Sequence, residues 1–206
     1  MNALNSETQA AITPQKALEM LKEGNQRFLD KNMINRDLNL QVSQTAKGQW
    51  PHSVVLGCID SRVPNELVFD QGIGDIFSAR VAGNFVNTDI LGSIEYGCKV
   101  AGSKLVVVLG HEGCGAVKGA CDGVELGNIT ALLANLKPAV DSVEEAGDRS
   151  SANSSFVHKV VDSNVDLTVE DMRAQSPLLK EMEANGEIKI VGAVYDMDNG
   201  EVTFLN

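Results

Sequence analysis

The sequence predicts an α/β fold: a central, mainly parallel β-sheet of four to five strands flanked by helices. Two observations carry this. Four short runs rich in Val and Ile, SVVLGC (53–58), DIFSARV (75–81), KLVVVLGH (104–111) and IKIVGAVYD (188–196), are bounded by Gly, Pro, Asn or Asp. Short apolar runs without polar alternation read as strands buried on both faces, the habit of parallel sheets. Between them lie longer segments with helical spacing, as parallel crossovers require. At 206 residues and 43% hydrophobic content the chain can bury one full core, whereas two independent domains would each be small. One domain over 1–206 is expected, with 1–35 as an N-terminal helical arm.

In order along the chain, TPQKALEMLKEGNQRFLDKN offers Thr13 as N-cap, Pro14 at the first helical position, and Ala17, Leu18, Leu21 and Phe28 at helical spacing. The first strand ends at Cys58. After the second strand comes the helical candidate NTDILGSIEYGCKVAG (87–102), then the third strand and a helix beginning near Cys114. GNITALLANLKPAV (127–140) and a long stretch from about 153 to 185 are further helices before the last strand. DSVEEAGDRSSANSS (141–155) is polar and loop-like, and reads as a bend rather than a domain boundary.

Charge and composition exclude several functions. Seventeen Lys and Arg stand against 28 Asp and Glu, a net charge of -11, so the long-range field repels nucleic acid and anionic membranes. No run approaches the roughly 20 apolar residues that span a bilayer, and MNALNSETQAAITP lacks the order of a signal peptide. The expected location is cytoplasmic, or periplasmic if an export signal has been removed. Four cysteines, Cys58, Cys98, Cys114 and Cys121, are too few for a disulfide scaffold in a chain this long.

The chemistry-bearing residues gather at strand ends. Cys58 closes the first strand, and Asp60 and Arg62 fall just past its C-terminal end, where open α/β sheets place their ligands. GHEGCG puts His111 and Cys114 directly after the third strand. Three such ligands with a fourth position open is the pattern of catalytic zinc. Gly110, Gly113 and Gly115 allow tight turns there, and a helix beginning at Cys114 would favour its thiolate. Each feature also has a plainer reading. A lone His-x-x-Cys is weak evidence for metal, and Asp60 with Arg62 could be a structural ion pair. Cys98 and Cys121 read as packing residues, and His52 and His158 as surface or capping groups. Co-location of Cys58, Asp60, Arg62, His111 and Cys114 is what favours a site.

CIDSRVPNE (58–66) followed by GHEGCGAVKG (110–119) resembles the β-class carbonic anhydrases, whose motifs are Cys-x-Asp-Ser-Arg and His-x-x-Cys-Gly. The similarity runs from the N-terminal helix to GAVYDMDNGEV (192–202). The resemblance implies one zinc per chain on Cys58, His111 and Cys114, with water or hydroxide as fourth ligand. Zinc-bound hydroxide would attack CO2 to give bicarbonate and a proton. Asp60, held by Arg62, would orient that hydroxide, and without Arg62 the carboxylate could itself take the zinc, so low pH is expected to close the site.

The same resemblance implies a substrate pocket of Gln49, Phe77, Ala82, Tyr96 and Gly115. Gln49 matches the plant-like branch, Phe77 and Tyr96 an aromatic wall, Ala82 a small apolar position, and Gly115 a backbone N–H suited to an anion. In that branch the glutamine and tyrosine reach the neighbouring subunit's zinc. A homodimer or dimer of dimers with active sites at the subunit interface is therefore implied, with a projecting N-terminal helix packed on the partner. Val55 stands where the bicarbonate-regulated branch carries Trp, although Arg80 and Tyr195 match two other members of that regulatory site. Ile59 replaces the more frequent Ser or Ala, its side chain expected to face away from the metal. No His stands as an evident proton shuttle, which leaves Glu112 or a buffer molecule. Two alternatives remain: hydrolysis of COS or CS2 on the same fold, and a non-catalytic zinc-binding protein, against which Asp60, Arg62 and Gln49 argue.

Overall fold

The computed structural model describes residues 2–205. Strands β1 (Ser53–Gly57), β2 (Ile76–Arg80), β3 (Leu105–His111) and β4 (Lys189–Tyr195) pair in parallel, and β5 (Val202–Phe204) runs antiparallel to β4, in the order β2-β1-β3-β4-β5. The predicted sheet is therefore present, with five strands. Every residue of β1 and β3 is buried, as expected for its two central strands. Burial on both faces does not extend to β2. This strand lies at the sheet edge, and Ser78 and Arg80 are exposed.

Alternation along the strands sorts the core into two layers. Val54, Leu56, Val106, Val108, Ile190 and Val194 face the helices α5 (Thr88–Glu95), α6 (Gly115–Cys121), α8 (Lys137–Ser142), α9 (Ser154–Gln175) and α10 (Pro177–Ala184). Val55, Leu105, Val107 and Leu109 face α2 (Pro14–Leu29) and the short α4 (Asn65–Val68). Thr13 caps α2 by accepting the Lys16 N–H at 3.1 Å. Ala17, Leu18 and Leu21 are buried on the chain's own sheet. This corrects the expectation of a projecting arm: the apolar stripe of α2 packs on the chain's own sheet, on the face it shares with α4. Other residues of the 2–35 segment are held as well. Gln9, on α1 (Ser6–Ala10), donates from Nε2 to the carbonyls of Pro51 and Ala101, both at 2.8 Å. Buried Asp70 accepts from Arg27, from Arg36 and from the Ile34 N–H.

Local chemistry divides segments that the sequence reads as continuous. Ser176 ends α9 and caps α10, its Oγ accepting the Leu179 N–H ahead of Pro177. The 127–140 segment breaks at Leu136 between α7 (Gly127–Ala134) and α8, and α5 runs into a π-helical turn at Tyr96–Val100. Also unforeseen is the helix α3 (Leu38–Thr45), with Asp37 as its cap. Among the described residues no helix is long and apolar enough to cross a membrane.

α9 crosses β3 and β4 closely because two glycines make room. A Cβ at Gly110 would lie 2.6 Å from Val165 Cγ2, and one at Gly192 would lie 2.6 Å from Val165 Cγ1. His52 also departs from expectation, being fully buried. Its backbone joins the starts of the strands, taking the Lys104 N–H and donating to Asp75 O, and its ring lies 2.7 Å from Ser53 Oγ and 3.0 Å from Gln71 Oε1. Burial pushes its pKa below 6.5.

Candidate metal centre

Gly57 pairs with Leu109, so the ends of β1 and β3 lie side by side. The residue after β1 and the last residue of β3 therefore meet, and the tight turn after β3 returns Cys114 to the same spot. Cys58, His111 and Cys114 are all buried, and one donor atom from each lies within 4.8 Å of the others. The two sulfurs are 4.0 Å apart.

His111 Nδ1 lies 2.9 Å from the Glu112 carbonyl, which fixes the proton on Nδ1 and leaves Nε2 with a free lone pair. That Nε2 is buried and has no hydrogen-bond partner among the described residues. A buried polar atom is ordinarily satisfied, so an orphaned imidazole nitrogen beside two thiols fits a metal ligand set. Zinc suits this mixture of two thiolates and one neutral imidazole. The contact with Cys114 lowers the Cys58 pKa from the ordinary thiol range, and the Gly83 N–H lowers it further. The same contact, with burial, pushes Cys114 up.

Asp60 and Arg62 stand beside this triad. Arg62 donates from Nε to Oδ1 at 2.9 Å and from Nη2 to Oδ2 at 2.8 Å, and its backbone N–H reaches Oδ1 at 3.0 Å. These bonds hold the Asp60 carboxyl well below the usual carboxylate range. Asp60 Oδ2 is 3.9 Å from His111 Nε2. Ile59 is exposed, as expected for a residue facing away from the ligands.

Sequence reasoning missed what holds the loop. Arg80 donates from Nε to Cys58 O at 2.7 Å, and from Nη2 to Asp60 O at 2.6 Å and Val63 O at 3.3 Å. Gly83 donates its N–H to Cys58 Sγ at 3.4 Å from a left-handed backbone, φ +82. The Ala-Gly-Asn run after β2 was a readable cue for that conformation.

The predicted pocket residues are dispersed. Phe77 and Tyr96 pack edge to face at 6.3 Å and line a groove of about 750 Å³ with Val54, Ala79, Arg80 and Ile90. Tyr96 is half exposed. Gln49 lines a different cleft, with Thr45, Gly48, Ile73 and Gly74. One chain therefore does not bring it to the groove or to the triad. Ala82 is half-buried beside Gly83, and Gly115 is exposed at the first turn of α6. Cys98 packs in the core and Cys121 against its margin, as read from the sequence. His158 is half exposed, its Nδ1 3.1 Å from Glu112 Oε1.

Residues 53–202 match the family profile described as "Carbonic anhydrase". The chain belongs to the carbonic anhydrase family. It is 37% identical over 191 residues to a protein named carbonic anhydrase 2 from Mycobacterium tuberculosis, covering 91% of this chain and 90% of that protein. It is 33% identical over 195 residues to a carbonic anhydrase from Mycolicibacterium smegmatis, covering 92% of each. Solved structures give the class. The Coccomyxa β-carbonic anhydrase bound to acetazolamide superposes with TM-score 0.72 at 25% identity, covering 91% of this chain and 86% of that one. A tetrameric β-carbonic anhydrase from Sordaria macrospora gives 0.68 at 26% identity, covering 82% and 90%. The chain is thus a carbonic anhydrase of the β class, and its triad lies in the region matched by the family profile.

Proposed function

We propose that the chain catalyses the reversible hydration of CO2 to bicarbonate and a proton, using one zinc ion held by Cys58, His111 and Cys114. The observation that carries this reading is the buried His111 Nε2, which has no hydrogen-bond partner among the described residues and lies close to two thiols. Bound there, zinc acts as a Lewis acid that brings the pKa of a coordinated water from 15.7 towards about 7 and so provides a nucleophile near neutral pH.

The chain's own groups prepare the site around it. Cys58 and Cys114 would ligate as thiolates. The Glu112 carbonyl keeps His111 in the tautomer that offers Nε2. Asp60, kept ionised by Arg62, presents an acceptor oxygen toward the ligand set and orients whatever donates to it. Val54, Phe77, Ala79 and Ile90 give the Phe77–Tyr96 groove an apolar side that suits a small neutral molecule.

The inferred active unit is a dimer or dimer of dimers. Gln49 and the half-exposed Tyr96 lie on open surface, where a second copy could use them. The Sordaria relative is described as tetrameric.

Stopped-flow CO2 hydration with zinc assayed on the same sample tests the reading. One zinc per chain and hydration that rises with pH are expected. In Asp60→Ala, hydration should fall steeply with zinc retained. Zinc without hydration in the unaltered protein would leave a binding protein instead, and turnover of COS or CS2 in preference to CO2 would redirect the assignment.

A further inference from the structure

We infer that Asn164, in the middle of α9, is a positioning residue for the Cys58 ligand and acts through the backbone of Gly83; this rests on the zinc reading above. The buried face of α9 is otherwise nearly apolar, formed by Phe156, Val157, Val160, Val161, Val165, Val169 and Met172 with Thr168. Asn164 interrupts it and is only 4% exposed. Its Nδ2 donates to Gly83 O at 2.9 Å, and Gly83 donates its own N–H to Cys58 Sγ at 3.4 Å. Two hydrogen bonds joined through the Gly83 backbone therefore link a helix packed across the sheet to one sulfur of the ligand set.

The geometry of Gly83 gives this link its leverage. Gly83 and Asn84 both have left-handed backbones, φ +82 and +44. Gly83 also has no room for a side chain, since a Cβ would sit 2.7 Å from Leu136 Cδ1. A backbone held in this sparsely populated conformation needs its surroundings to fix it. Asn164 does so at the carbonyl, while the Asn84 N–H donates to Val81 O at 2.9 Å. Fixed in this way, the Gly83 N–H is aimed at Cys58 Sγ. A hydrogen bond to a ligating thiolate withdraws charge from sulfur and holds it in place, one of the outer contacts that tune a metal site.

The test uses the full chain with cobalt(II) in place of zinc. Asn164→Leu conserves volume and removes the donor. The sulfur-to-cobalt charge-transfer absorption is expected to move to lower energy, and zinc affinity to fall about tenfold or more. A folded variant with an unmoved band and unchanged affinity overturns this inference alone, because a purely structural amide would alter only the melting temperature. No such band in the unaltered protein overturns the metal reading and this inference with it. A second measurement needs no variant. In the unaltered protein loaded with cadmium-113, a scalar coupling between the metal and the Gly83 amide proton is expected, and its absence overturns the Gly83 link.

Discussion

Arg62 grips both carboxylate oxygens of Asp60, with Nε on Oδ1 at 2.9 Å and Nη2 on Oδ2 at 2.8 Å. A fork-to-fork pair fixes the carboxylate plane as well as its position. Fixing it matters because carboxylate is itself a zinc ligand, and Asp60 Oδ2 is already 3.9 Å from His111 Nε2. On the proposed zinc reading, the guanidinium would keep Asp60 an acceptor beside the metal position and stop it from occupying that position.

Arg62→Ala should retain zinc and lose CO2 hydration by roughly 100-fold, the scale of a positioned acid–base group. Zinc-edge X-ray absorption should show an added oxygen ligand in the variant. Arg62→Lys should rescue little, since an ammonium offers one point charge where a fork is needed. Unchanged hydration in Arg62→Ala would rule out the gate.

Arg80 works on the same loop from its other side, through the carbonyls of Cys58, Asp60 and Val63. Arg80→Ala frees three acceptors and loosens the ligand loop. Outer supports of metal sites are worth about 10- to 100-fold in affinity or activity, so both zinc affinity and kcat should fall within that range. A variant with unaltered zinc affinity and kcat would remove Arg80 from this role.

Much of this was legible in the sequence, for identifiable reasons. Cys58, His111 and Cys114 could be placed because apolar runs mark strand ends, and the ends of adjacent parallel strands lie together. α2 was legible as a helix but not in its docking: an amphipathic stripe states a need for burial without saying which surface meets it. β5 is three residues long, too short to show a period. Arg80 and Gly83 act through the backbone of other residues, and such contacts leave no spacing to read. His52 was hidden because the convergence of β1, β2 and β3 at Pro51–Ser53 buries it, and that convergence exists only in three dimensions.

The buried His52 predicts a pH dependence. Its folded pKa lies below its ordinary 6.5 because burial disfavours the charged ring. Below pH 6.5 the unfolded chain therefore binds a proton that the folded chain refuses. The stability it contributes is full above 6.5 and declines as pH falls through the window down to the folded value, by at most about 1.4 kcal/mol per pH unit. The gap in unfolding free energy between the unaltered protein and His52→Gln should narrow or reverse as pH falls from about 7 to about 5. A gap independent of pH would show that His52 is not the group responsible.

Val165 rests against two glycines on neighbouring strands, and this contact sets how closely α9 approaches the sheet. A Cβ at Gly192 would lie 2.6 Å from Val165 Cγ1, a distance that real Cβ contacts do not show. Gly192→Ala should cost about 1–3 kcal/mol through overpacking, and each kcal/mol lowers the melting temperature by about 2–4 °C in a chain of this size. Val165→Ala removes the methyls on its own and should also destabilise, by leaving a void. Combined, the two changes should cost less than their sum, because the methyl added on β4 occupies space that the valine has vacated. Chemical denaturation of the two single variants and the double variant measures the difference. Strict additivity would mean that the helix simply slides away from the sheet, and that the glycines do not set its distance.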